Sequence, residues 1–508
     1  MAINQLKAGV ILSYISIGLG TLVQIICIPL MLRLLGQSEY GLYNLSVSII
    51  SYLSLFSFGF GGAYIRYYSR YKIRDDHDNV AALNGMYLII FILIGVVAAV
   101  AGIILVLNLE AILGNKFSPS DMATAKRLMS IMVFSITFSF LFTVFNSFIT
   151  ANERFIFQNV LQIIKQIMSP VLSILLLLMG YGSVGMVIIT TIISASIDIS
   201  NAVLCFTKLK MKFKFRNFNF PLIKEMAIFS SYLFMNMVID QINWNVDKFI
   251  VGRYRGTVSV AVYGVAAQLN IFYMSLSTAV SYVFIPKINK MVFKDNDNKE
   301  LTHLFTRVGR IQFIFLALIC SGFVFFGQVF INLWAGADYS DSYYVALLLI
   351  IPVTIPLIQN LGIEIQKAKN MHKFRSWTYL LIAFINIISS IILTKSYGAV
   401  GAAAGTMIAI LIGNVIIMNW YYQKKVALDM KYFWTQILKL LPAFIPPVIV
   451  GTLLYLFVGF NRPVLFLLCG GIYFVIFCIS MWFFGMNAYE KNLVKKPVMT
   501  ILKRRSVQ

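Results

Sequence analysis

The chain has 508 residues, 59% hydrophobic and 12% charged, with a mean hydropathy of +0.83, a composition that would not stay soluble in water. A formal net charge of +23 invites a nucleic-acid partner, but the placement of that charge along the chain excludes one. The apolar residues gather in runs of roughly 20 or more, enough for ~30 Å of helix across a bilayer core.

In chain order these runs are 8–32, 41–64, 82–108, 128–150, 156–179, 183–206, 222–247, 257–285, 309–334, 343–366, 376–394, 398–422, 433–458 and 463–486, fourteen in all. A barrel's period-two alternation is absent, and a helix satisfies its own backbone inside lipid, so the runs predict an all-α polytopic membrane protein with fourteen transmembrane helices. The first run is too long for a signal-peptide core and lacks a small-residue cleavage site, so it is kept as a helix. Most of the 42 Lys and Arg fall on one side, including Lys208, Lys210, Lys212, Lys214 and Arg216, and Lys367, Lys369, Lys373 and Arg375. This bias assigns both termini to the cytoplasm. A basic cytoplasmic face would draw anionic membrane lipids, not nucleic acid.

Part of the chain is written twice. Tyr181-Gly182-Ser183-Val184-Gly185 returns as Tyr397-Gly398-Ala399-Val400-Gly401, 216 residues later. Tyr40-Gly41 pairs with Tyr263-Gly264, and Asn152-Glu153-Arg154-Phe155 with Asn370-Met371-His372-Lys373-Phe374 across a one-residue gap. Collinear matches at nearly one offset indicate an internal duplication. They predict an N-terminal lobe of helices 1–6 (1–207), a basic linker (208–221) and a C-terminal lobe of helices 7–12 (222–425). Six helices per half is an even number, so the lobes share orientation and a pseudo-twofold lies along the membrane normal. Residues 426–508 add helices 13 and 14 and a basic cytoplasmic tail, peripheral to the repeat. Pro442, Pro446 and Pro447 will break or kink helix 13.

Outer loops are short, the longest being 109–127, so there is no outer domain of the kind a glycan polymerase or glycosyltransferase uses. Trp334, Trp377, Trp420, Trp434 and Trp482 lie near helix ends, as an interfacial belt would. The five cysteines sit in apolar helices without metal-ligand spacing, and His77, His303 and His372 fall in loops, so no metal site is expected. No GxSxG, Walker A or HExxH pattern occurs, which leaves neither a catalytic motif nor ATP hydrolysis to expect.

The segments MLRLLGQSEYGLYNLSVS, NSFITANERF, YGSVG, YGAVG and NVDKFIVGRYRGTVSVAVYGVA resemble the polysaccharide-transporter branch of the multidrug/oligosaccharidyl-lipid/polysaccharide (MOP) flippase superfamily, across essentially the whole chain. The resemblance implies flipping of an undecaprenyl-diphosphate-linked oligosaccharide for O-antigen, capsule or a related glycan, in the bacterial cytoplasmic membrane. It also implies a glycan polymerase and chain-length machinery as neighbours. Multidrug/cation antiporters and lipid II flippases share the superfamily and are the alternatives, and a scaffold for glycan-assembly enzymes is a further one.

Ionisable groups at membrane depth cost about 2.5–3.5 kcal/mol to insert, so each is a functional candidate. On helix 7, Asn236, Asp240, Asn243 and Asp247 are spaced four, three and four, which makes one stripe. On helix 5, Gln158, Gln162, Lys165 or Gln166, and Ser169 form a second, with Lys165 ~14 Å deep at ~1.5 Å per residue. Lys165, with Arg66 at the entrance, would hold the diphosphate, with Gln162 and Asn243 in the same cavity. Asp240, Glu364 or Asp198 would bind the proton or sodium that couples transport to an ion gradient; no other cofactor is expected. Each has a plainer reading: Lys165 snorkels or pairs with Asp198, Asp240 bonds neighbouring helices, and Arg66 and Glu364 are solvated at helix ends. Asp247 and Lys248 read as interface charges, and Arg33 and Glu39 as ordinary loop charges.

Overall fold

The computed structural model describes residues 5–114, 116–216, 220–294, 297–458, 463–493 and 495. Part of the predicted linker (217–219) and the basic tail from 496 onward lie outside the described residues. The described residues hold helices and no strand. In chain order these are α1 (Gln5–Ser51), α2 (Phe60–Ile73), α3 (His77–Leu107), α4 (Leu109–Leu113), α5 (Pro119–Ala151), α6 (Phe155–Leu178), α7 (Gly182–Thr207), α8 (Phe220–Arg255), α9 (Thr257–Lys294), α10 (Asn298–Trp334), α11 (Ser342–Ile358), α12 (Asn360–Ala368), α13 (His372–Ile410), α14 (Asn419–Tyr421), α15 (Met430–Leu438), α16 (Ile445–Phe457) and α17 (Pro463–Ser480).

Eleven stretches are long and apolar enough to cross a membrane, or twelve if α11 and α12, bent by 41°, count as one. Two stretches, Leu12–Ile73 and Lys373–Val426, run to 62 and 54 residues, far beyond the ~20 that one crossing needs. Each contains two of the predicted apolar runs. The loop expected between runs 1 and 2 is a single break at Gly36 (φ 74°, ψ 172°), and that between runs 11 and 12 a break at Gly398 (φ 61°, ψ −137°). Glycine lacks the Cβ that makes these dihedrals costly, so the chain turns without unwinding further. Run 2 is itself interrupted. A 3₁₀ turn covers Tyr52–Ser57, and Phe58 and Gly59 are left-handed before α2 begins. The proline break in helix 13 is present: α15 stops at Leu438, and α16 restarts with Pro446 and Pro447 in its first turn.

One turn recurs in detail. After α5, Asn152, Glu153 and Arg154 donate to the carbonyls of Phe148, Thr150 and Ile149; after α12, Lys369, Asn370 and Met371 donate to those of Ile365, Lys367 and Gln366. Glu153 and Asn370 both have φ 57° and stand 217 residues apart. The backbone therefore needs no gap here. Asp75 and Gly180 close α2 and α6 with the same motif, so the weight rests on position and not on motif.

The chain packs as two compact units, Met1–Gly264 with Ser390–Ala402, and Val265–Ser389 with Ala403–Gln508. In the first, Tyr64, Tyr67, Tyr87, Phe91 and Phe148 form a buried aromatic core where α2, α3 and α5 meet. The linker is strapped to this core. Lys214 N–H donates to the Ala81 carbonyl (2.9 Å), Asn84 Nδ2 to that of Lys212 (2.8 Å), and Met211 is buried. α8 packs along α1 and α2, which explains why it belongs to this unit.

In the second unit, Phe326, Tyr473, Phe477 and Met481 join α17 to α10. Beside them lies a buried ion pair. Arg310 Nε and Nη2 donate to the two Glu490 oxygens at 2.6 and 3.0 Å, and Arg310 also bonds the Gln436 and Gly485 carbonyls. The last helices pack against α10 here, and Arg310 ties the segments around Gln436, Gly485 and Glu490 to that helix.

Candidate functional site

α6 is little covered over its N-terminal half. No side chain from Phe155 to Pro170 is buried, although this stretch carries Gln158, Gln162, Lys165 and Gln166. Its ends are tied by amides: Gln158 Nε2 donates to Asn146 Oδ1 (2.8 Å) and Thr150 Oγ1 (2.7 Å), and Ser16 Oγ of α1 donates to Gln166 Oε1 (2.9 Å). Gln162 and Lys165 lie between these ties. Gln162 is exposed and Lys165 half-buried, and no hydrogen bond or ion pair within 4.0 Å joins Lys165 to another described residue. Lys165 does lie within electrostatic reach of Asp198 on α7, whose Oδ2 accepts a hydrogen bond from Ser139 (2.8 Å). The structure therefore brings Lys165, Gln162 and Asp198 into one neighbourhood.

The stripe expected on α8 divides. Asn236 and Asp240 are exposed, Asn243 is half-buried with a buried, unbonded Oδ1, and Asp247 is 2% exposed and accepts from Tyr263 (2.8 Å). An adjoining face of the same helix carries a network that the sequence reading missed. Gln241 Nε2 donates to the Ser51 carbonyl and Ser54 Oγ, each at 3.1 Å. Its Oε1 accepts from Ser51 Oγ (3.1 Å) and Asn245 Nδ2 (2.5 Å). Ser51 directly precedes the 3₁₀ turn and Ser54 lies within it. The signal was present: Ser51, Ser54 and Ser57 recur every three residues, the 3₁₀ period and not the α-helical one. A helix break frees backbone groups, and Gln241 satisfies one of them, the Ser51 carbonyl.

The remaining candidates have other neighbours. Arg66 is exposed, with its guanidinium 4.8 Å from the Phe229 ring centre on α8. Glu364 is on α12 and pairs with Lys367 at 2.8 Å. Glu39, read from sequence as a loop charge, caps α7 through Ser183. Among the described residues, no group of three or more His, Cys, Asp or Glu could hold a metal ion. Chemically, the uncovered stripe of α6 offers amides and one cation to a polar, anionic head group.

The fold has counterparts among solved structures. The lipid II flippase MurJ, in an inward closed conformation, superposes with a TM-score of 0.71 at 21% identity, over 93% of this chain and 98% of that one. A multidrug resistance MATE family transporter of the MOP superfamily, inward-facing, gives 0.66 at 12% identity, over 81% and 96%. A putative O-antigen transporter of Shigella flexneri is 20% identical over 417 residues, 80% of this chain and 94% of that protein. The capsular polysaccharide biosynthesis protein CapF of Staphylococcus aureus is 22% identical over 213 residues, 41% and 52%. Residues 6–292 match the family described as polysaccharide biosynthesis protein. With more than half its length matched, the chain belongs to the polysaccharide biosynthesis protein family and has the fold of the MOP-superfamily transporters.

Proposed function

We propose that this protein is a flippase that moves an undecaprenyl-diphosphate-linked oligosaccharide from the cytoplasmic to the outer leaflet by alternating access, for O-antigen, capsule or a related glycan. The observation that carries the reading is Lys165 on the little-covered, polar N-terminal half of α6. A cation there is costly unless water or an anion meets it. The names of the O-antigen transporter and capsular relatives support the glycan, and the fold shared with a lipid II flippase supports a lipid-linked head group. Lys165 holds the diphosphate by charge-assisted hydrogen bonds, Gln162 and Asn243 serve sugar hydroxyls, and Arg66 receives the head group. Asp198, Asp240 or Glu364 takes the proton or sodium that drives the cycle.

The same reading has fourteen crossings, with Leu12–Ile73 and Lys373–Val426 each making two, about Gly36 and Gly398. Helices 1–6 and 7–12 are then the duplicated lobes, supported by the turn shared by Glu153 and Asn370. Both termini face the cytoplasm of a bacterial inner membrane, and a polymerase with chain-length machinery consumes the flipped lipid.

Proteoliposomes carrying a fluorescent undecaprenyl-diphosphate oligosaccharide test this. Protein-dependent loss of inner-leaflet signal, competed by unlabelled substrate but not by cationic dyes, is the expected result. Transport of the dyes in its place, or movement of lipid II alone, would overturn the assignment. A scaffold would move nothing.

A further inference from the structure

A second polar site lies within the other compact unit, where α9, α12 and the start of α13 meet. A cleft of about 190 Å³ is lined by Thr278, Ser281, Asn360, Glu364, Lys367 and Arg375. Its floor is held by buried amides. Gln312 of α10, 1% exposed, donates Nε2 to Ser281 Oγ (3.0 Å) and the Ser277 carbonyl (3.1 Å), and Asn360 Nδ2 donates to Ser277 Oγ (2.8 Å). α12, which supplies Asn360, Glu364 and Lys367 to the cleft, follows a 41° bend from α11. Broken helices at such positions frame binding sites in transporters.

The charge in the cleft selects its ligand. Lys367 Nζ lies 2.8 Å from Glu364 Oε1, with the carboxylate side chain 16% exposed and the lysine 57%. Arg375, its guanidinium 4.6 Å from the Tyr379 ring centre, adds a second cation. With Lys367 and Arg375 against the single carboxylate of Glu364, the cleft carries a net positive charge that draws an anion. Glu364 already occupies Lys367 as an internal counter-ion, which an incoming anion can replace. The volume is below the ~300–1,000 Å³ of ordinary small-molecule sites, which suits a phosphate group and not a glycan. The turn that follows, at Lys369 and Asn370, belongs to the basic side of the chain.

We infer that this cleft docks the diphosphate of the lipid-linked substrate on the leaflet where it is loaded, with Lys367 exchanging Glu364 for phosphate. The ligand's identity rests on the flippase reading; the anion site does not.

Full-length protein in phosphatidylcholine nanodiscs is titrated with farnesyl diphosphate by calorimetry. Loss of one charge-assisted bond weakens binding roughly tenfold, so Lys367→Ala should bind about that much more weakly. Lys367→Arg should stay near wild type and shows that the cleft still folds. Glu364→Gln should bind several-fold more tightly, because the competing carboxylate is gone. Equal affinity in wild type and Lys367→Ala, or weaker binding in Glu364→Gln, overturns the site. Lys165 is intact in every variant, so such a failure leaves the translocation reading to its own assay. Discs rich in phosphatidylglycerol identify the source. Unchanged affinity supports the diphosphate carrier, whereas a loss that requires Lys367 makes the occupant a membrane phospholipid and overturns carrier docking.

Discussion

Glu39 Oε1 accepts two hydrogen bonds from Ser183, one from its backbone N–H and one from its hydroxyl, each at 2.7 Å. Glu39 lies three residues beyond the Gly36 break, and Ser183 opens α7 directly after Gly182 (φ 58°). A carboxylate at a helix N-terminus satisfies an orphan donor and meets the positive end of the dipole. Ahead of the second copy of the motif, Arg255 Nε donates to the Thr394 carbonyl (3.1 Å). Glu39→Ala should lower stability by about 1–2 kcal/mol, the range for a lost cap, and Glu39→Gln by less. Thermal unfolding followed by size exclusion reads the difference. An unchanged melting temperature in Glu39→Ala would show that the contact carries no weight.

Lys165 and Asp198 set a fork. If Lys165 binds the diphosphate, Lys165→Ala abolishes glycan display at normal protein abundance, and Lys165→Arg keeps part of it, since Arg also binds phosphate with a planar, bulkier head. If the pair is only structural, Lys165→Ala lowers abundance, and adding Asp198→Ala restores both abundance and display, because no charge is left stranded. Surface glycan and membrane protein level, measured together, separate the two. Restored display in the double variant would sink the diphosphate role.

Arg310 and Glu490 are 5% and 3% exposed, so neither charge has water to fall back on. Arg310→Ala should cost about 3–5 kcal/mol, the penalty for stranding a buried partner. Replacing both, with Arg310→Met and Glu490→Leu, should recover much of that loss. Detergent melting curves of the two single variants and the double variant form the cycle; additive losses would argue that the residues do not act as a pair.

Gly398 and Gly401 make the return between the two halves of α13. Alanine at Gly398 would have to adopt φ 61° and ψ −137°, a strain of about 1–3 kcal/mol. At Gly401 its Cβ would come within 2.2 Å of the Leu393 carbonyl oxygen. Both substitutions should lower folded yield, whereas Gly18→Ala, with nothing within 4 Å of the added carbon, should not. Equal yields for all three would mean that the backbone there relaxes freely.

Sequence alone determined the helical class and the proline break after Leu438, because each is a local property: a run of apolar residues or a ring that removes a donor. Tertiary structure decided the rest. Periodicity put Asn236, Asp240, Asn243 and Asp247 on one stripe, but only packing could bury Asp247 and leave Asp240 exposed. Nothing near Gln241 in sequence announced that Ser51 and Ser54 would be its partners. Glu39 read as a loop charge because its acceptor role depends on Ser183, far along the chain. Arg310 and Glu490 are 180 residues apart. A hydrogen bond is set by distance in space, and a sequence carries that distance only when both partners lie on one helix.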